Sequence, residues 1–386
     1  MIPYGRQEIT DSDIRAVLEV LQSDFLTQGP VVPAFENRIC GHVGAKHGVA
    51  VNSATSALHI ACLAVGLGKG DRLWTSPVTF VASANCGLYC GADVDFVDID
   101  PLTFNICPKL LEQKLLEAER RNTLPKVVVV VHLTGQSAQM ADIHELSVRF
   151  GFSIIEDASH AIGGKYQGEY VGNCRYSDVT VFSFHPVKIV TTAEGGVAVT
   201  NNEAIAERLD LLRSHGITRN PERMTQVPDG PWYYQQIDLG YNYRMTEIQA
   251  ALGLSQMDRL DEYVARRNEL AARYDHALST LPVATPFQHP DTYSARHLYV
   301  IRVEDGAATR PHREIFEHLR SRGIGVNLHY IPVHMQPYYE RMGFKPGQFP
   351  NAEQYYREAI SLPLFPTMSL EQQDEVVACL SEVFQS

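Results

Sequence analysis

No stretch of eighteen or more uninterrupted apolar residues occurs in this 386-residue chain, so no membrane-spanning helix is expected. The opening MIPYGRQEIT lacks a basic segment followed by an apolar one, and secretion is not expected either. Cysteine is sparse: seven residues, an odd number, with Cys86 and Cys90 spaced i, i+4 rather than as CxxC. That pattern excludes a disulfide framework and points to a reducing, cytoplasmic setting; no metal site is expected. Positive charge is in deficit, 33 Lys and Arg against 45 Asp and Glu, a net charge of -12. A main task of gripping nucleic acid or an anionic membrane is thereby disfavoured. No G-x-G-x-x-G turn follows the first strand-like segment, where VNSATSAL stands instead, which argues against a dinucleotide-binding oxidoreductase. Internal repeats and low-complexity runs are also absent.

What is present is an ordinary globular composition, 45% hydrophobic and 20% charged, in a chain long enough for one large core and a smaller companion. Apolar spacing predicts a first helix over 8–22, capped at Asp11 or Ser12. Val49 to Val51 reads as a strand and Thr55 to Val65 as a helix closed by Gly66. Strand-like runs at Arg72 to Thr75, Val94 to Val97, Lys126 to Leu133, Phe152 to Ile155 and Val179 to His185 alternate with helical stretches. The alternation predicts an α/β domain with a mainly parallel sheet, covering 1–250. From Thr246 a long helical pattern reads as a connector, and 251–386 as that connector plus a small α+β domain. The segment from Arg219 to Gln236, rich in Pro, polar and aromatic residues, reads as a long ordered loop.

Such a sheet binds its ligand at the carboxyl ends of its strands, where Asn52, Asp157 and His185 fall. Lys188 follows the Val179 to His185 run directly and precedes the turn TTAEGG. A lysine, a carboxylate and two histidines, His160 and His185, at neighbouring strand ends suggest imine chemistry on a carbonyl or an aldehyde cofactor. Pyridoxal phosphate chemistry needs each piece found here. Lys188 offers the imine amine, and Asp157 a carboxylate to keep a pyridine nitrogen protonated. The amides and hydroxyls of Ala54, Thr55 and Ser56 at a helix start would bind a phosphate dianion, with Ser183 as a further ligand. Phe80 supplies an aromatic face. Each residue alone has a commoner structural role, as solvated lysine, helix cap, core aromatic or hydrogen-bonded histidine. Their order along the chain, each at a strand end, carries the reading.

The strings NSATSALHIA, SPVTFVASAN, GQSAQMADI, EDASHAIGG, SFHPVK with TTAEGG, RSHGI and GYNYRMTEIQAALG run nearly end to end. Together they resemble the DegT/DnrJ/EryC1/StrS sugar aminotransferases, pyridoxal 5′-phosphate enzymes of fold type I with an aspartate aminotransferase-like architecture. More narrowly, YGRQ, SDFLTQGP, SATSALHIACLAVGLGKGD, LYCGADVDFVDIDP and SHGITR resemble the branch serving pseudaminic acid biosynthesis. That branch moves the amino group of L-glutamate to C4 of a UDP-linked 4-keto-6-deoxy-N-acetylhexosamine. The resemblance implies that Lys188 is the Schiff-base lysine, Asp157 the pyridinium partner, and Ser183 a phosphate ligand beside Ala54 and Thr55. Phe80 takes the stacking position, and His160 goes with the cofactor. Asn242 matches an asparagine that reaches the cofactor phosphate of a neighbouring subunit, which implies a homodimer with shared sites. Tyr4, the stretch Asp24, Phe25, Leu26 and Thr27, then His185, and the stretch Asn327, Leu328, His329 and Tyr330 are implied to line the nucleotide-sugar pocket. Arg244 and His215 fall where the partner approaches. Ala54 stands where glycine is commonest in the broad family, and marks the narrower branch.

Overall fold

The computed structural model describes residues 1–303 and 310–385. Its centre is a seven-stranded sheet of β1 (His47–Val51), β2 (Arg72–Thr75), β3 (Asp93–Phe96), β4 (Val127–Val131), β5 (Ser153–Asp157), β6 (Val179–Ser183) and β7 (Gly196–Thr200), in the order β1-β7-β6-β5-β4-β2-β3. Pairings from β3 through β2, β4 and β5 to β6 are parallel, while β7 is antiparallel to both β6 and β1. The mainly parallel α/β sheet expected from the alternation is therefore present. β4 is five consecutive valines, all buried, because helices cover both faces. Val127 and Val129 pack on one side with Leu58 and Val181, Val128 and Val130 on the other with Leu111, Leu115 and Ile143.

The helices are α1 (Asp11–Leu21), α2 (Val31–Val43), α3 (Ala54–Ala64), α4 (Ala82–Tyr89), α5 (Pro108–Arg120), α6 (Met140–Phe150), α7 (Glu203–Arg213), α8 (Glu247–Met257), α9 (Leu260–Ala277), α10 (His312–Ser321), α11 (Pro337–Glu340), α12 (Pro350–Glu358) and α13 (Leu370–Gln385). None of the described helices is long and apolar enough to cross a membrane. A separate antiparallel pair, β8 (Tyr299–Arg302) with β9 (Ala359–Leu362), packs with α9, α10 and α13 around a second core of Leu270, Tyr274, Ile315, Leu319 and Leu380. Ile2 joins this core, whereas Val333, Tyr339 and Tyr355 pack into the core of the large sheet. Arg267, 1% exposed on α9, donates to the carbonyls of Arg296, His297 and Leu364.

Several boundaries differ from those expected. α1 starts after Thr10, not Asp11 or Ser12, because the Thr10 amide donates to Asp13 at 2.8 Å. Burial opposes charge on Asp13, but Arg259, Ser255 and that amide outweigh it and hold the carboxyl below its ordinary range. The connector is two helices, since the chain breaks between α8 and α9 where Arg259 turns back to Asp13 at 2.7 Å. The long loop is closed at its base by a two-residue ladder, Ile217–Thr218 against Gln235–Gln236.

Candidate active site

β6 ends at Ser183, two residues earlier than expected, and the chain then makes an excursion before returning as β7. The base of the excursion is closed by Phe184 N–H to Gly195 O at 3.0 Å and Thr192 N–H to Phe184 O at 2.9 Å. Within it a tight turn, Lys188 N–H to His185 O at 2.9 Å, sets Lys188 into a cavity of about 560 Å³ at the carboxyl end of the sheet. Gly196 makes the return possible: a Cβ there would stand 2.6 Å from the Ala54 nitrogen. Removing that side chain lets β7 pass against the start of α3. The glycine pair of TTAEGG thus serves the phosphate-side wall as well as the turn.

Asp157 is the last residue of β5, in register with Val131 and Val181. Its Oδ2 accepts a hydrogen bond from Ser83 at 2.6 Å, and its Oδ1 accepts the Ser159 amide at 3.1 Å. The single Ser83 proton goes to the carboxylate, so Thr79, 2.7 Å away, donates to Ser83 in turn. Ser83 and Thr79 were not singled out from sequence. Seventy-four residues separate Ser83 from Asp157, and only the sheet order brings α4 above the end of β5.

Ser53 caps α3 by accepting from Ser56 N–H, while the Ala54 and Thr55 amides have no acceptor among the described residues. Those amides, the helix dipole and Ser183 face one end of the cavity, a donor set suited to a phosphate dianion. Phe80, 58% exposed, lines the same cavity with its ring centroid 6.2 Å from that of Tyr330. The residues present therefore fit pyridoxal phosphate: anion donors at one end, a carboxylate at the other, an amine and an aromatic face between.

The far wall comes from the other end of the chain. Ile2 is bracketed by backbone hydrogen bonds with Gly323 and Gly325, which brings Tyr4 to 5.3 Å from the His329 ring. Asn327, Leu328, His329 and Tyr330 line this side, as does exposed His185 at the rim near Glu194. His160 Nδ1 accepts the Thr134 amide, so its Nε2 carries the proton and donates to the Tyr330 hydroxyl at 3.1 Å. His297, not foreseen from sequence, lies against His160 at 4.4 Å between ring centroids.

Burial, reinforced by Lys188, depresses the His160 imidazole well below its usual value and takes His329 to about 4. His297 is depressed likewise, by burial and then by His160 and Lys188. All three rings are neutral near pH 7. Lys188 is itself depressed by burial to about 8, the Asp157 charge opposing that shift. Among the described residues, no arginine lines this cavity.

Asn242 and the Asp24 to Thr27 stretch are not brought into the cavity of their own chain. Asn242 is exposed and bridges Ser214; Phe25 and Leu26 are half exposed, with Leu26 O accepting the Glu247 amide. Arg244, donating to Ser214 at 3.0 Å, and His215 line a second cavity beside Arg213 and Arg219.

Comparison with known proteins shows what the chain as a whole is similar to. The chain is 40% identical over 385 residues to spore coat polysaccharide biosynthesis protein SpsC of Bacillus subtilis (strain 168), covering 99% of this chain and 97% of that one. It is 37% identical over 377 residues to the UDP-4-amino-4,6-dideoxy-N-acetyl-beta-L-altrosamine transaminase of Campylobacter jejuni (strain 81-176), covering 96% and 94%. Among solved structures, Helicobacter pylori PseC, an aminotransferase involved in the biosynthesis of pseudoaminic acid, superposes with a TM-score of 0.90 at 32% identity, covering 100% and 99%. The putative sugar aminotransferase Spr1654 of Streptococcus pneumoniae, in its PMP form, gives 0.91 at 30% identity with the same coverage. Residues 7–381 match the DegT/DnrJ/EryC1/StrS aminotransferase family, and the chain belongs to it.

Proposed function

We propose that this sugar aminotransferase moves the amino group of L-glutamate to C4 of a UDP-linked 4-keto-6-deoxy-N-acetylhexosamine, a step toward a pseudaminic acid type of sugar. The observation that carries the chemistry is the convergence of Lys188, Asp157 and the open α3 amides on one cavity. The acceptor is inferred from similarity to the Campylobacter transaminase along nearly the whole chain.

Pyridoxal 5′-phosphate, when bound, supplies the carbonyl carbon that takes up the amino group and a ring that accepts the electrons released when a C–H bond breaks. The Ala54 and Thr55 amides and Ser183 would hold its phosphate, Phe80 would offer an aromatic face to its ring, and Asp157 would keep the ring nitrogen protonated. Ser83 fixes the Asp157 carboxylate for that task. The Lys188 amine, depressed to about 8, is neutral in part near pH 7 and can take the proton from Cα of glutamate. In the second half it returns a proton to C4 of the sugar, and the face from which Lys188 approaches fixes the configuration of the new amine. Tyr4, His185 and the Asn327 to Tyr330 stretch line the acceptor side. A second copy of the chain, in a homodimer, brings Asn242 and the Asp24 to Thr27 stretch to the same cavity.

Purified protein should be yellow and gain a borohydride-stable adduct on Lys188; Lys188→Ala should lose both the adduct and all turnover. Incubation with glutamate and a panel of nucleotide-linked 4-keto sugars should give 2-oxoglutarate fastest with the UDP-linked N-acetylated acceptor. Preference for another nucleotide-linked 4-keto sugar would replace the acceptor named here, and Lys188→Ala turning over like wild type would overturn the mechanism.

A further inference from the structure

Away from the catalytic cavity, three side chains on two helices bring metal-ligating atoms together. His318 on α10 and Cys379 and Glu382 on α13 place one ligand atom each within 4.8 Å of one another. Cys379 and Glu382 are i, i+3 and share a face, and α10 packs directly on α13. His318 Nε2 is buried without a hydrogen-bond partner, 3.7 Å from Glu382 Oε2. The Cys379 thiol is buried beside it, 4% exposed. In a tetrahedral shell with metal–ligand bonds of about 2.0–2.3 Å, neighbouring ligand atoms stand roughly 3.3–3.8 Å apart; the His318–Glu382 pair is at that spacing, and the whole cluster, within 4.8 Å, would draw in by about an ångström on binding.

We propose that His318, Cys379 and Glu382 form a binding site for a divalent transition-metal ion of the zinc class, clasping α10 to α13, with water as fourth ligand. Imidazole nitrogen, thiolate sulfur and carboxylate oxygen together suit zinc, whereas magnesium and calcium take oxygen ligands. On binding, the Cys379 thiol releases its proton to solvent as the sulfur–metal bond forms; no electron is transferred. Glu382 is held by Arg322, whose side chain is 52% exposed. Arg322 grips both oxygens of Glu382, so a bound cation must displace the guanidinium, which its exposure lets water solvate. The clasp would join the last helix to the small core, and it shares no residue with the catalytic cavity.

Cobalt(II) titrated into the full-length holoenzyme is the direct test. The expected result is one equivalent of a tetrahedral cobalt spectrum with visible d–d bands at longer wavelength than the cofactor, lost in both Cys379→Ser and His318→Ala. Zinc should raise the unfolding midpoint of wild type and of neither variant. Arg322→Ala removes the competing cation and should bind cobalt several-fold more tightly. An octahedral spectrum, or the same tetrahedral bands in wild type and both variants, would overturn the assignment, as would zinc leaving the wild-type midpoint unmoved.

Discussion

Ser83 donates a 2.6 Å hydrogen bond to Asp157, and Thr79 stands 2.7 Å behind it. The carboxylate is therefore aimed before any ligand arrives. A hydrogen bond to a charged group contributes about 1.5–3 kcal/mol, so Ser83→Ala should lower kcat by roughly ten- to a hundredfold. Asp157→Asn should cost more, because it removes the charge itself. Steady-state kinetics on the two variants decide the order; a Ser83→Ala enzyme with wild-type kcat would strip Ser83 of this positioning role.

Loading of the cofactor-free protein should depend on pH through Lys188. Condensation needs the neutral amine, and a lysine at about 8 offers roughly a quarter of its population neutral at pH 7.5, against about 0.1% for an ordinary lysine. The sign follows: uptake of pyridoxal phosphate rises as pH climbs and levels off above the Lys188 value. Stopped-flow absorbance across pH 6 to 10 should place the half-point near 8. A half-point near that of an exposed lysine would refute the burial argument.

If two chains share each site, Asn242→Ala and Lys188→Ala chains, each inactive or weak alone, should regain activity when mixed and allowed to exchange. One of the two sites in the mixed pair then carries both native residues. Activity that stays at the sum of the separate proteins would refute the sharing.

Arg267→Met should unfold more easily than wild type, since three carbonyls lose their donor in a buried setting. The expected loss is about 3 kcal/mol or more. Urea denaturation measures it, and an unchanged midpoint would deny the clamp.

Much of this arrangement was legible in the chain itself. Runs such as the five valines of β4 fix strands buried on both faces, and Asp157 and Lys188 stand at places where a parallel sheet exposes its ligands. Contacts that depend on sheet order were not legible. Ser83 meets Asp157 only because β2 and β5 flank β4, and His297 reaches His160 from a segment hydrogen-bonded to Thr134 and Gly135 in the turn after β4. The break between α8 and α9 was hidden because both halves keep a helical pattern, while its cause, Arg259 bound to Asp13, lies far away in sequence. His318 and Cys379 escaped for a like reason: metal ligands that meet across two helices leave no local spacing to read.

α9 buries Tyr263 and Val264 in one core and Leu270 and Tyr274 in the other, and Arg267 sits between these two sets of residues. A rotation of one core against the other would have to bend a continuous helix and strip a buried guanidinium of its acceptors. The cavity wall drawn from both ends of the chain is thus one rigid mould, and a substrate meets its shape already cast.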